Sequence, residues 1–234
     1  MRDTKTKKRL SPQEREKQIV TEAIAFFADQ GFGGQTRELA KRIGVTQPLL
    51  YRYFASKEVL IERVYQDVFI GRWREDWEQV LTDRSLPIEE RLIRVYREYA
   101  RVIDNREWIR ILILAGMKGE SLNRRYLDQV REKLIEPLCL EMRLEAGMKD
   151  PGSLPLTTQE TDLAWSFHGT FIYRGIRKWI YELPVEDDLD ALVENAIRLF
   201  LGGFPAALAA ILEPLPSRTS GPASETGSHA SGIS

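Results

Sequence analysis

Between Thr36 and Lys57 the chain gathers side chains whose tips can grip a nucleic acid. Gln47 carries an amide able to pair with adenine through two hydrogen bonds, and Arg37 can reach guanine or a phosphate. Thr36, Thr46, Tyr51, Tyr53 and Lys57 can donate to phosphate oxygens, and Arg52 adds a positive charge to the same stretch. Ser56 and Lys57 open a further helix, whose first backbone N–H groups attract anions. Each of these groups is also an ordinary surface polar residue when taken singly. Tyr53 reads equally well as a core aromatic, and Phe54 reads better as one. Their common placement on one short segment is what gives the pattern meaning.

The elements that must hold these residues are helices. Ser11-Pro12-Gln13-Glu14 combines an N-cap serine, a proline at the first position and a glutamate at the third, a capping box. The helix it opens carries Ile19, Ala23, Phe26 and Phe27 on its buried stripe and stops at Gly31. A short helix over 36–43 turns Leu39, Ala40 and Ile43 inward, and Gly44 ends it. Thr46 caps the next, with Pro48 in a first turn that can spare an N–H. Helices at 11–30, 36–43 and 46–54, with Gly44-Val45 between the last two, have helix-turn-helix spacing. The third would enter the major groove with its N-terminal residues at the base edges. Val45, Leu49 or Leu50, and Phe54 would fix it to its neighbours.

The segment QTRELAKRIGVTQPLLYRYFASKEVL resembles the DNA-binding domain of the TetR family of bacterial regulators. The family's ordered pattern falls here on Thr36, Leu39-Ala40, Gly44-Val45, Tyr51, Phe54 and Lys57. The likeness covers about residues 11–65; beyond them only helix count and length agree. It implies that Arg37 and Gln47 read bases while Thr36, Tyr51 and Lys57 hold phosphate. Leu49, Arg52 and Tyr53 depart from the groove-facing residues of the family's namesake, so no operator is carried over. The namesake also binds its ligand with histidines around magnesium. This chain has only His168 and His229, so neither that metal site nor any other cofactor is expected.

Charge is divided along the chain. Residues 1–60 hold twelve Lys and Arg against seven Asp and Glu, a surplus of five positive charges; the remainder holds 22 basic and 28 acidic residues. A basic head on an acidic body suits a protein that meets a polyanion with one end only. Lys5, Lys7, Lys8 and Arg9 form an arm that can lie along the backbone or in the minor groove. Cys139 is the single cysteine, which excludes an internal disulfide and suits a reducing cytoplasm. The start, MRDTKTKKRL, has no apolar region behind its charges, and no uninterrupted apolar run approaches the roughly 20 residues of a membrane span, so no membrane partner is expected.

The rest also reads as helix, giving an all-α fold. Ser56 should cap a long helix to about Val80. Ile88–Asp104 and Glu107–Met117 follow, then Glu120–Ala146, bent near Pro137. Thr157 and Glu160 form a second capping box opening a helix to about Tyr181, and a last helix runs from Glu186 to Leu212. Four parts result: a flexible arm (1–10), the helix-turn-helix head (11–56), an effector-binding and dimerisation body (57–213) and a disordered tail (214–234). Ala164, Gly169, Thr170 and Gly175 on 157–181, and the apolar faces of 186–212, are candidates for a homodimer interface, since one head reads only a few base pairs. Trp108, Met117, Trp165, Phe167, His168 and Phe171 are candidates for an effector pocket. Arg174, Arg177 and Lys178 could serve an anionic effector or be a solvated face.

No phosphate-cradling glycine loop, HExxH or nucleophile elbow is present, so no enzyme is expected. The expectation is a ligand-responsive repressor that binds a palindromic operator as a homodimer and is released by a small molecule. The rival is a helical interaction module that keeps the head without reading DNA.

Overall fold

The computed structural model describes residues 10–117 and 121–212, and every regular element among them is helical. The expected arm, apart from its last residue, and the expected tail beyond Leu212 lie outside the described residues. The head consists of α1 (Pro12–Gln30), α2 (Thr36–Ile43) and α3 (Gln47–Tyr53). Its local signals act as the sequence requires. Ser11 Oγ accepts from the Glu14 N–H at 3.2 Å while the Ser11 N–H donates to the Glu14 carboxylate at 2.7 Å, closing the capping box. Gly44 ends α2 in the left-handed region at φ 76°, where an L side chain is strained. Phe26, Phe27, Phe32, Leu39, Leu50 and Phe54 are buried together and lock the three helices.

The body comprises α4 (Lys57–Val68), α5 (Trp77–Thr82), α6 (Ile88–Ile103), α7 (Arg106–Met117), α8 (Ser121–Val130), α9 (Glu136–Glu145), α10 (Thr158–Trp179) and α11 (Leu189–Leu212). The long helix expected from Ser56 to Val80 is therefore two. α4 stops at Val68, a 3₁₀ turn spans Ile70–Arg72, and the chain restarts at Trp77. Gly71 weakens the helix there. The break also turns Trp77 into the core, 2% exposed, where its indole donates to Glu98 at 3.1 Å. Where the sequence predicts a bend near Pro137, the chain makes a π-helical turn over Arg131–Ile135, ending two residues before the proline that lacks an N–H.

Two buried ion pairs tie the body together. Glu141 accepts from Arg91 at 2.7 Å and from Arg84 at 2.8 Å. Arg143 meets Glu160 at 2.6 Å, both side chains 1% exposed, and also donates to the carbonyls of Pro151, Leu154 and Pro155. Burial pushes the Glu160 carboxyl up, but hydrogen bonds from Arg143 and Thr157 outweigh it and hold the pKa below the usual value. One side chain thus pins the loop before α10 and its capping box.

Gly175 and Ala164 are buried inside the subunit rather than offered to a second copy. A Cβ on Gly175 would stand 2.5 Å from Cδ1 of Ile109, so it is α7 that approaches α10 there. Glycine is needed for packing within the chain. α11 lies along α6 through the pairs Arg97–Glu194 and Arg101–Asp190 and buries Val193, Ile197, Phe204 and Leu208. Leu189, Leu192, Ala196, Phe200 and Leu201 are half-buried against the core, and Leu199 faces outward. By length and composition Leu189–Ile211 is apolar enough to cross a membrane, with mean hydropathy 1.3 and 22% of the window buried, although Asp190, Glu194 and Arg198 interrupt the run.

Candidate nucleic-acid interface and ligand cavity

α2 and α3 meet across Gly44-Val45, the Val45 N–H bonding back to the Ala40 carbonyl at 2.9 Å. Leu50 and Phe54 hold α3 from beneath, 1% and 5% exposed, while Leu49 stays half-buried. That settles which leucine anchors the helix. The opposite face gathers three of the candidate residues on one hydroxyl. Thr36 Oγ1 lies 3.0 Å from Tyr51 Oη and accepts from Gln47 Nε2 at 3.0 Å. Thr36 is buried, Gln47 half-buried and Tyr51 exposed, so the cluster reaches from the α2–α3 seam to solvent.

Arg37, Pro48 and Arg52 are exposed beside it. Thr46 is exposed too, and its Oγ1 accepts from the Leu49 N–H as the cap of α3. Tyr53 is half-buried and packed against the head's core. Lys57 begins α4 under the Ser56 cap, whose Oγ accepts from the Val59 N–H at 3.3 Å. Arg42 is a different case. It pairs with Asp29 at 3.0 Å, and Arg106 of the body pairs with the same carboxylate at 2.9 Å. The hydrogen bonds from Arg106 and Arg42 hold Asp29 below the usual carboxylate range.

Head and body are joined by side chains from α7: Arg110 donates to the Ala28 carbonyl at 2.7 Å and Arg106 to Asp29. Arg125 of α8 donates to Glu62 at 2.9 Å on α4, the body helix that follows the head. Behind these contacts the same two helices border a cavity of about 260 Å³. Trp108, Trp165 and His168 line it as expected, together with Tyr99, Tyr126 and Ile172. The other three candidates are elsewhere. Met117 is 80% exposed at the end of α7. Phe167 and Phe171 turn to the other side of α10, where both pack on Tyr96 and Phe167 stacks on Phe200 at 4.5 Å. The reason is helical phase: Trp165, His168 and Ile172 share a face, and Phe167 is two residues, or about 200°, from Trp165.

Sequence reasoning missed Tyr99 and Tyr126, which face the cavity from α6 and α8. They form a chain with His168: Tyr126 Oη to Tyr99 Oη at 3.2 Å, Tyr99 Oη to His168 Nε2 at 2.9 Å, and His168 Nδ1 to Tyr96 Oη at 3.4 Å. Burial drives the imidazole pKa down to about 3, so the ring is neutral. Burial likewise pushes the three phenols well up. Arg174 and Lys178 are engaged with Asp104, each at 3.0 Å, and Arg177 lies over Tyr173. These cations do not line the cavity.

A second hollow, about 300 Å³, opens between α10 and α11 and is lined by Phe167, Phe200, Phe204, Leu163, Leu199 and Thr170, among others. It carries no charge, and Leu199 beside it is 80% exposed.

Residues 19–64 match the family described as bacterial regulatory proteins, tetR family. The tetracycline repressor protein class A from transposon 1721 of Escherichia coli is 28% identical over 92 residues, covering 36% of this chain and 42% of that protein. The HTH-type transcriptional repressor KstR2 of Mycolicibacterium smegmatis is 31% identical over 80 residues, covering 34% and 38%. The chain thus spans about two fifths of the curated relatives it matches. Solved structures extend the likeness to the body as a fold. A TetR-like transcriptional regulator from Rhodococcus sp. RHA1 aligns with TM-score 0.60 and 22% identity over 83% of this chain and 100% of that one. The fatty acid degradation regulator FadR of Bacillus halodurans aligns with TM-score 0.58 and 20% identity over 84% and 98%. With the motif, the head geometry and these matches in agreement, residues 19–64 carry the DNA-binding domain of the tetR family of bacterial regulatory proteins, and the body shares the fold of TetR-like regulators.

Proposed function

We propose that this protein is a transcriptional repressor that binds a palindromic operator as a homodimer and leaves it when a small molecule enters the body. The observation that carries the reading is the hydroxyl-centred cluster Thr36–Gln47–Tyr51, set at the α2–α3 seam beside the exposed Arg37 and Arg52. Without DNA, Gln47 spends one amide hydrogen on Thr36. In the groove that amide turns to a base edge, while Thr36, Thr46, Tyr51, Tyr53 and Lys57 hold phosphates. Residues 11–56 form the reading head and 57–213 the responding body. The names of the curated relatives, both repressors, support repression over activation and regulation over catalysis. Such a regulator works in the cytoplasm, where its operator is.

Two copies meet through α10 and α11. The uncharged hollow around Phe167, Phe200 and Phe204, with Leu199 exposed, supports this, because a helix apolar on its outer face is stable in water only when covered. The effector signal runs through α7 and α8. Each borders the cavity with an aromatic ring and holds a neighbouring helix with an arginine: Trp108 with Arg106 and Arg110 on α1 of the head, Tyr126 with Arg125 on α4, the body helix that follows the head. A ligand that spreads these helices moves α1 and α4 as well. The coupling needed is about 1–3 kcal/mol, supplied by the ligand's differential affinity for the two head spacings.

The test is fluorescence anisotropy of a labelled duplex taken from DNA flanking the gene, against a scrambled duplex, at two salt concentrations. A true reader binds the flanking duplex more tightly, loses affinity on both as salt rises, and loses the discrimination in Arg37→Ala or Gln47→Ala. Affinity indifferent to salt and to these substitutions refutes DNA reading and favours a protein-interaction module.

A further inference from the structure

The cavity between α7, α8 and α10 is dry in character yet holds donors with nothing to bond. Every lining side chain is uncharged. Trp108 borders it while 0% exposed, and its buried indole N–H has no hydrogen-bond partner among the described residues. The tyrosine–histidine chain has a second surplus, which follows from counting protons. Tyr96, neutral His168, Tyr99 and Tyr126 each hold one labile hydrogen, and three links join them. Four donors on three links leave one O–H unpaired, on Tyr96, Tyr99 or Tyr126. The Tyr96 end faces the rings of Phe167 and Phe171, which offer no good acceptor. The Tyr126 end borders the cavity, 5.4 Å from Trp108 between ring centroids. A buried unpaired donor costs about 1–3 kcal/mol; Trp108 N–H is one, and the surplus O–H, when it falls on Tyr99 or Tyr126, is a second at the same cavity.

We infer that the cavity takes an uncharged, largely aromatic or alicyclic molecule with an acceptor-only oxygen, a ketone or ester carbonyl, which accepts from Trp108 Nε1–H and Tyr126 O–H. The inference builds on the reading of this space as the effector site and names its ligand class. Binding orders the chain in one direction. Tyr126 donates to the ligand, Tyr99 to Tyr126, His168 Nε2–H to Tyr99, and Tyr96 to Nδ1. A carboxylate or an ammonium would enter with no counter-charge and lose its hydration. The volume, about 260 Å³, is the space of roughly nine waters, enough for one or two rings. Next to His168, a Cβ on Gly169 would meet nothing within 4 Å, so the backbone there borders open space.

Four probes of one shape separate the classes: benzophenone, diphenylmethane, diphenylacetate and diphenylmethylammonium, titrated calorimetrically into the full chain without DNA. The expected order is ketone tightest, hydrocarbon weaker, both ions weakest. Trp108→Phe and Tyr126→Phe should each weaken the ketone about fivefold, one hydrogen bond, and leave the hydrocarbon within twofold, which also shows the variants are folded. Gly169→Leu should remove both. Nitrogen-15 spectra of labelled histidine should show the Nε2–H tautomer of His168 with ketone bound. No ketone binding, preference for either ion, or equal losses for ketone and hydrocarbon in the phenylalanine variants would overturn the assignment. Ketone binding that follows this pattern but leaves operator affinity unchanged would instead refute the effector reading and leave the cavity's chemistry standing.

Discussion

Mild acid should destabilise this protein through His168, a residue far from any surface charge pair. The ring is 2% exposed, its hydrogen-bond partners are the Tyr96 and Tyr99 hydroxyls, and Trp165 packs edge-on against it. Burial holds its pKa near 3 against an ordinary 6.5. The sign follows from which state binds the proton. Below pH 6.5 the unfolded chain takes up a proton that the folded chain refuses, so stability is complete above about 6.5 and falls as pH drops toward 3. Between pH 7.5 and 5.5 this one group costs about 1.4 kcal/mol, since one pKa unit is worth about 1.36 kcal/mol. Carboxylates change little over that window. For a chain of this size the fall in Tm is about 3–6 °C. Urea unfolding followed by circular dichroism, at fixed protein concentration and several pH values, measures it as a lower midpoint with unchanged slope. His168→Phe should be less stable than the parent at neutral pH, because the tyrosines lose their partner, yet nearly flat from pH 7.5 to 5.5. If that variant keeps the parent's acid sensitivity, the histidine is not buried neutral and the donor count in the cavity fails with it.

Four further outcomes follow from packing and pairing. Gly44→Ala should cost about 1–2 kcal/mol by putting an L side chain at φ 76° in the turn; with nothing within 4 Å of the new Cβ, the loss is backbone strain alone, measurable as a lower urea midpoint. Gly175→Ala should cost about 1–3 kcal/mol through overpacking against Ile109, and adding Ile109→Val, which removes the nearer atom, should restore part of it. Glu160→Gln should cost about 3–5 kcal/mol by leaving the Arg143 guanidinium without its counter-charge, seen in thermal melts together with faster proteolysis in the 147–157 loop. Leu199→Glu, on the open face of α11, should leave the melting of the subunit within about 0.5 kcal/mol but shift sedimentation from dimer to monomer; an unchanged dimer would place the interface elsewhere.

What the sequence determined by itself was the head and the helix ends. Capping is local chemistry. Ser11 with Glu14, Thr157 with Glu160, Gly44 and Thr46 act on backbone groups three or four residues away, so their spacing in the chain is their spacing in space. The Thr36–Gln47–Tyr51 cluster is legible for the same reason, since its members sit on two short helices joined by one fixed turn. Tertiary structure decided the rest. An apolar helix residue announces that it is buried but not against what. Phe167 and His168 are adjacent in sequence, yet one faces the outer hollow and the other the inner cavity. Gly175 resembled a contact for a second copy and proved to be the place where α7 meets α10. The break between α4 and α5 has a weak local signal in Gly71 and a strong distant cause in the burial of Trp77. Tyr99, Tyr126 and His168 come from three helices 27 and 69 residues apart along the chain. Their shared proton chain exists only once those helices pack, because hydrogen bonds of about 3 Å depend on positions in space that no periodicity encodes.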